Sequence, residues 1–119
     1  MSKENQSREI RSEVTSDGQL KLSIESAEMP APKDHEVLLK VEASPINPSD
    51  LGLLISFAAD LSSISSEGSG DDKVTTMNIL PALHKTMTAR FDKSMKVGNE
   101  GGGVVVDAGE AGKGLIGKK

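Results

Sequence analysis

Glu36-Val37-Leu38-Leu39-Lys40-Val41-Glu42-Ala43-Ser44-Pro45-Ile46-Asn47-Pro48-Ser49-Asp50 changes character half-way along. Val37, Leu39 and Val41 recur at a spacing of two, the period of a strand that presents one apolar face. Pro48 then sits where a short helical turn would start, since a proline in the first turn forfeits no intrahelical hydrogen bond. Ser49, Asp50, Leu51, Leu53 and Leu54 continue that turn. Upstream, Leu20, Leu22 and Ile24 alternate with polar neighbours, and Ile10 and Val14 lead into Ser16-Asp17-Gly18. Half-buried strands on either side of an Asp-Gly turn read as a hairpin. Met29-Pro30-Ala31-Pro32-Lys33-Asp34 separates that hairpin from the strand at 36–43 as a loop, because both prolines lack the ladder donor. Residues 1–7 are polar and are expected to fray.

Downstream, Ser62-Ser63-Ile64-Ser65-Ser66-Glu67-Gly68-Ser69-Gly70-Asp71-Asp72 is poor in apolar residues and reads as an exposed, flexible loop. From Pro81 the residues Leu83, Met87, Phe91 and Met95 fall every four positions, which predicts an amphipathic helix to about Lys96. Val97-Gly98-Asn99-Glu100-Gly101-Gly102-Gly103 runs into Val104-Val105-Val106, and 102–108 reads as a buried strand. Strands, one helix and a valine strand make a mainly β domain with minor helix.

At 119 residues the length prior gives one domain with a single core and leaves no room for a separate nucleotide-binding domain. Fourteen basic against eighteen acidic side chains give a net charge of −4, which repels a phosphate backbone, so nucleic acid is not an expected partner. No apolar run is long enough to span a bilayer and the first residues lack a signal-peptide layout, so the expected location is cytoplasmic with no membrane partner. The chain has no cysteine, which removes disulfides and thiolate metal ligands. It has two phenylalanines and no Tyr or Trp, so the core is aliphatic and no tyrosine is available as an acid.

Taken in order, Ser44-Pro45-Ile46-Asn47-Pro48-Ser49-Asp50 and Val97-Gly98-Asn99-Glu100-Gly101-Gly102-Gly103, each beside a β-rich run, resemble the N-terminal GroES-like domain of the medium-chain dehydrogenase/reductase superfamily. The resemblance implies a GroES-like, partly open β-barrel, incomplete relative to the full enzyme, with a long loop and helix at 53–96. That segment is longer than the family usually has. In zinc-dependent members, Asn47 matches a cysteine ligand and Asn99 a histidine ligand, with Glu100 beside it. A neutral amide replaces neither donor, so no zinc is expected and the resemblance is to the zinc-independent, quinone oxidoreductase-like branch.

On that resemblance, Asn47 contacts the nicotinamide or the substrate carbonyl, and Ser49 matches a proton-relay hydroxyl. Asp50 completes the candidate catalytic set, although a carboxylate at a helical start more often caps backbone N–H groups. Glu100 has the same two readings, a carboxylate behind the site or a partner for backbone donors at a glycine-rich bend. The implied function is the substrate-side portion of an NAD(P)H-dependent oxidoreductase of quinones or related conjugated carbonyls. The cofactor is held mainly by a Rossmann domain outside this chain, so the chain alone is expected to be inactive. A homo-oligomer is compatible with this reading.

The alternatives are an enoyl-thioester reductase portion, which the absence of tyrosine weakens, a zinc-free alcohol dehydrogenase, or a non-catalytic GroES-like interaction module. Gly112-Lys113-Gly114-Leu115-Ile116-Gly117-Lys118-Lys119 has the spacing of a phosphate loop up to its lysine, but Lys119 replaces the Ser or Thr and no helix follows it. Gly101-Gly102-Gly103 leads into valines rather than a helix, unlike a dinucleotide fingerprint. His35 and His84 read as isolated surface residues.

Overall fold

The computed structural model describes residues 6–119 and is mainly β, built from antiparallel sheets. The frayed terminus expected at 1–7 lies outside the described residues as far as position 5, and Gln6 and Ser7 open the first strand. Where length alone leads to one core, the contacts divide the chain into two compact units. One comprises residues 6–7, 28–46 and 98–119, and the other comprises 8–27 and 47–97.

The larger unit is organised by β1 (Gln6–Val14), β2 (Gln19–Glu28), β4 (Ala59–Glu67), β5 (Val74–Ile79) and β6 (Met95–Lys96), in the sheet order β4-β5-β2-β1-β6. Its central hairpin forms as the alternation predicts. Gly18 takes φ +96° in the turn, and Thr15 N–H donates to Gln19 O at 2.8 Å. From this hairpin Val14 and Leu20 turn fully inward, and Met77 and Ile79 reach them from β5. Ala58, Ala59 and Met87 complete the buried cluster, with Leu22, Leu83 and Phe91 packed at its margin. The helical turn opened by Pro48 is α1 (Pro48–Leu54).

Two expectations for this unit are corrected. Of the loop expected at 62–72, residues 62–67 belong instead to β4, pairing with β5 through Ser65↔Thr76, Ser66↔Thr75 and Glu67↔Val74. The serines serve the strand through their hydroxyls: Ser63 Oγ accepts the Asn78 N–H at 2.7 Å, and Ser66 Oγ lies 2.8 Å from Thr75 Oγ1. Because Leu61 and Ile64 remain more than half exposed, this edge strand needs no apolar pattern, which is why composition misreads it. The turn shrinks to the residues around Gly68 and Gly70, both at positive φ.

The second correction concerns the expected amphipathic helix, which is a run of 3-10 turns, Pro81–Arg90. Thr86 and Thr88 donate their hydroxyls to the carbonyls three residues back, at 2.5 and 2.7 Å, and both are poor helix formers. With about three residues per turn, positions four apart no longer stack. Of the stripe, Met87 is buried, Leu83 and Phe91 are half-buried, and Met95 lies exposed in β6.

The smaller unit pairs β3 (Val37–Ala43) with β7 (Gly102–Ala108) in a two-stranded antiparallel sheet. Register shifts leave Val106 and Glu42 as extra residues of two bulges. The valine strand is not buried as expected: Val104 and Val105 are half-buried and Val106 is 48% exposed. Its glycines answer to backbone proximity instead. A Cβ on Gly103 would lie 1.8 Å from Lys40 O, so no other residue fits this crossing. A further 3-10 segment, Glu110–Leu115, follows and buries Gly112 against Val37 and Ala108. Neither sheet closes into a barrel. Among the described residues, no helix is long and apolar enough to cross a membrane.

Candidate functional site

The strand pairing decides where the two characteristic stretches begin. Ala43, the last residue of β3, is the partner of Gly102, the first residue of β7. Ser44-Pro45-Ile46 therefore leaves the same end of the sheet at which Asn99-Glu100-Gly101 arrives. The Ser44 hydroxyl donates to Glu100 O at 2.7 Å and ties them together across 55 intervening positions. Gly98, at φ +99°, supplies the bend before Asn99. Gly101 passes so close to β3 that a Cβ there would be 3.0 Å from Val41 Cγ1 and 3.3 Å from Ala43 O. Asn99 and Glu100 are exposed at this bend and both take part in further interactions.

Asn47, Ser49 and Asp50 come together at the start of α1, in the larger unit. Asn47 is the N-cap, with extended backbone at φ −90° and ψ 156°, and Pro48 follows in the first turn. Asp50 is 5% exposed, and its Oδ2 accepts the Asn47 N–H at 2.8 Å, the reciprocal half of a capping box. The Asp50 N–H in turn donates to Asn47 O at 2.9 Å. The carboxylate thus holds the loop against the helix and fixes the direction in which Asn47 is presented. Asn47 is half-buried, with its side chain engaged in the capping box, and Ser49 is exposed, so an amide and a hydroxyl, both neutral, are the polar groups that stand at this turn. Such a donor set suits hydrogen bonding to a carbonyl or carboxamide. Among the described residues, no three His, Cys, Asp or Glu side chains gather as a metal set. Asn99 and Glu100 belong to the smaller unit.

Beneath α1 lies a polar cluster that residue spacing alone does not announce. Ser12 is completely buried, and its hydroxyl donates to Leu53 O at 2.6 Å while accepting from Arg90 Nη2 at 3.0 Å. Arg90 Nη1 reaches Gly52 O at 3.4 Å, and its Nε is buried without a hydrogen-bond partner among the described residues. Burial pulls the guanidinium pKa below its ordinary value, because desolvation disfavours the charged form. The signal is partial: Ser12 stands two residues before the buried Val14 on one face of β1, although Ile10 on the same face is 44% exposed.

A cleft of about 630 Å³ opens elsewhere in the larger unit, between the β1–β2 turn and the start of the 3-10 run. Asp17, Gln19, Asp60, Asn78 and His84 line it. His84 is not an isolated surface residue, since its ring packs on Phe91 with centroids 4.9 Å apart. None of the residues carrying the two characteristic stretches faces this cleft. A scan of the sequence against models of protein families matches none, and a search of curated proteins gives no match.

Proposed function

We propose that this chain is the substrate-side, GroES-like portion of a zinc-independent oxidoreductase that uses NAD(P)H to reduce quinones or related conjugated carbonyls. The observation that carries this reading is the junction of the two characteristic stretches at one end of the β3–β7 sheet, through Ala43↔Gly102 and the Ser44–Glu100 hydrogen bond. A dihydronicotinamide, when bound, supplies the hydride. Asn47 offers its amide to the substrate carbonyl, where a hydrogen bond aimed at the developing oxyanion lowers the barrier without a metal. Asp50 is a positioning residue that acts through the cap, holding Asn47 in place. Ser49, exposed beside it, is the hydroxyl that gives its proton to the oxyanion left by hydride transfer and regains one from solvent.

The test is kinetic and uses the complete product of the gene. Replacing Asn47 by Ala is expected to lower kcat for quinone reduction by about 10²-fold, the usual loss on removing one oxyanion donor. A kcat unchanged by Asn47→Ala contradicts the reading. The non-catalytic interaction module stays in view because of one observation: Val37, Leu39, Val41 and Val106 leave an exposed apolar surface on the smaller unit. It predicts that the endogenous product has a mass near 12.5 kDa and no reductase activity.

A further inference from the structure

We propose that the outer edge of β3 is a self-association site, where a second copy of this chain adds its own β3 antiparallel, about a two-fold axis through Leu38. The argument begins with which edge is open. In the smaller unit, the outer side of β7 is covered by its own chain, since Val105 N–H donates to Lys118 O at 3.0 Å and Gly117 N–H donates to Val105 O at 2.8 Å. Among the described residues, β3 pairs with β7 alone, so its other edge has no strand beside it. A two-stranded sheet is marginal by itself and gains most from a third strand.

The backbone phase determines what that edge offers. Gly109 N–H donates to Glu36 O at 2.9 Å, and Lys40 O faces Gly103, so positions 36, 38 and 40 direct their backbone groups toward β7. Val37 and Leu39 therefore turn their N–H and C=O groups outward. Pairing about Leu38 sets Val37 opposite Leu39 of the second copy, twice, and each pair exchanges both backbone hydrogen bonds. The same register places Glu36 opposite Lys40 of the second copy at both ends of the contact, so the charges are self-complementary. Moving the axis to Lys40 would instead oppose Lys40 to itself. It would also carry the ladder into the Glu42 bulge, which bends the strand away. Val37 and Leu39, 40% and 39% exposed, supply the apolar cross-strand pairs. Beside them is a hollow of about 320 Å³ lined by Met29, Pro30, Pro32, Glu36, Val37 and Leu38. An isologous contact of this kind closes at the dimer.

A chain without cysteine makes the test clean. Residues at the centre of such a contact face each other with Cα atoms about 4.5 Å apart, within reach of a disulfide. Under mild oxidation, Leu38→Cys is expected to cross-link to a second copy, and Val41→Cys, far from its own counterpart in this register, is not. Adding Lys40→Glu to Leu38→Cys replaces two attractive pairs by two repulsive ones, and is expected to slow cross-linking about tenfold. Sedimentation of the unmodified chain should show a concentration-dependent dimer. Failure of Leu38→Cys to cross-link, equal cross-linking at position 41, or indifference to Lys40→Glu would each overturn the proposal.

Discussion

Gly103 is the residue on which the smaller unit turns. Its missing side chain lets β7 approach Lys40 O, and Gly103→Ala is expected to cost about 3 kcal/mol, because backbone atoms must move to admit a Cβ. Chemical denaturation measures it; a loss below about 1 kcal/mol would show that the strands can separate cheaply at that point. Asp50→Ala should cost about 1 kcal/mol by removing the acceptor of the Asn47 N–H, and on the proposed function it should lower kcat only through Asn47. At Ser12, replacement by Ala leaves Leu53 O and Arg90 without their buried partner and should cost about 1–2 kcal/mol in the same assay. These residues differ in how plainly the sequence announces them. Asp50 follows a proline at a helical start, so its capping use is legible. Gly103 announces itself only as one of a run, because which glycine meets a carbonyl depends on strand register. Ser12 is legible in phase but not in role, since its partners come from Leu53 and Arg90, far along the chain.

The elements are most legible where alternation and turn chemistry agree. The β1–β2 hairpin, β3 and α1 stand where spacing, Asp17-Gly18 and Pro48 place them. β4 escaped because an exposed strand can be built from serines that bond across the ladder, so composition looks like a loop while pairing makes a strand. Hydrogen exchange separates the two descriptions. Amides in the β4–β5 ladder, and the Asn78 amide bonded to Ser63 Oγ, should exchange far more slowly than those of the turn at Gly68–Gly70. Ser63→Ala should release the Asn78 amide selectively. Uniformly fast exchange across 59–72 would return this segment to a loop. The 3-10 run differs from its expected form for another reason: a spacing of four fits an α-helix, and the hydroxyl bonds of Thr86 and Thr88 that favour tighter turns leave no mark on periodicity.

At the scale of the molecule, apolar burial is uneven. The cluster of Val14, Leu20, Ala58, Ala59, Met77, Ile79 and Met87 lies wholly in the larger unit, whereas among the described residues the smaller unit buries only Ala108 of its hydrophobic side chains. The two units should therefore open at different free energies, with β3–β7 amides exchanging ahead of those of β2 and β5. Length could not foretell this division, because it depends on how few large side chains reach each sheet. The functional reading belongs to the same scale, since it rests on strands that bring Ser44, at the start of one stretch, to Glu100 of the other. Its most direct test is the product recovered from its source cells with an antibody against this chain, assayed for quinone-dependent oxidation of NADPH or NADH. The account predicts a protein well above 12.5 kDa that oxidises the nicotinamide only when quinone is present. A recovered protein of either size that leaves the nicotinamide unoxidised in the presence of quinone would contradict it.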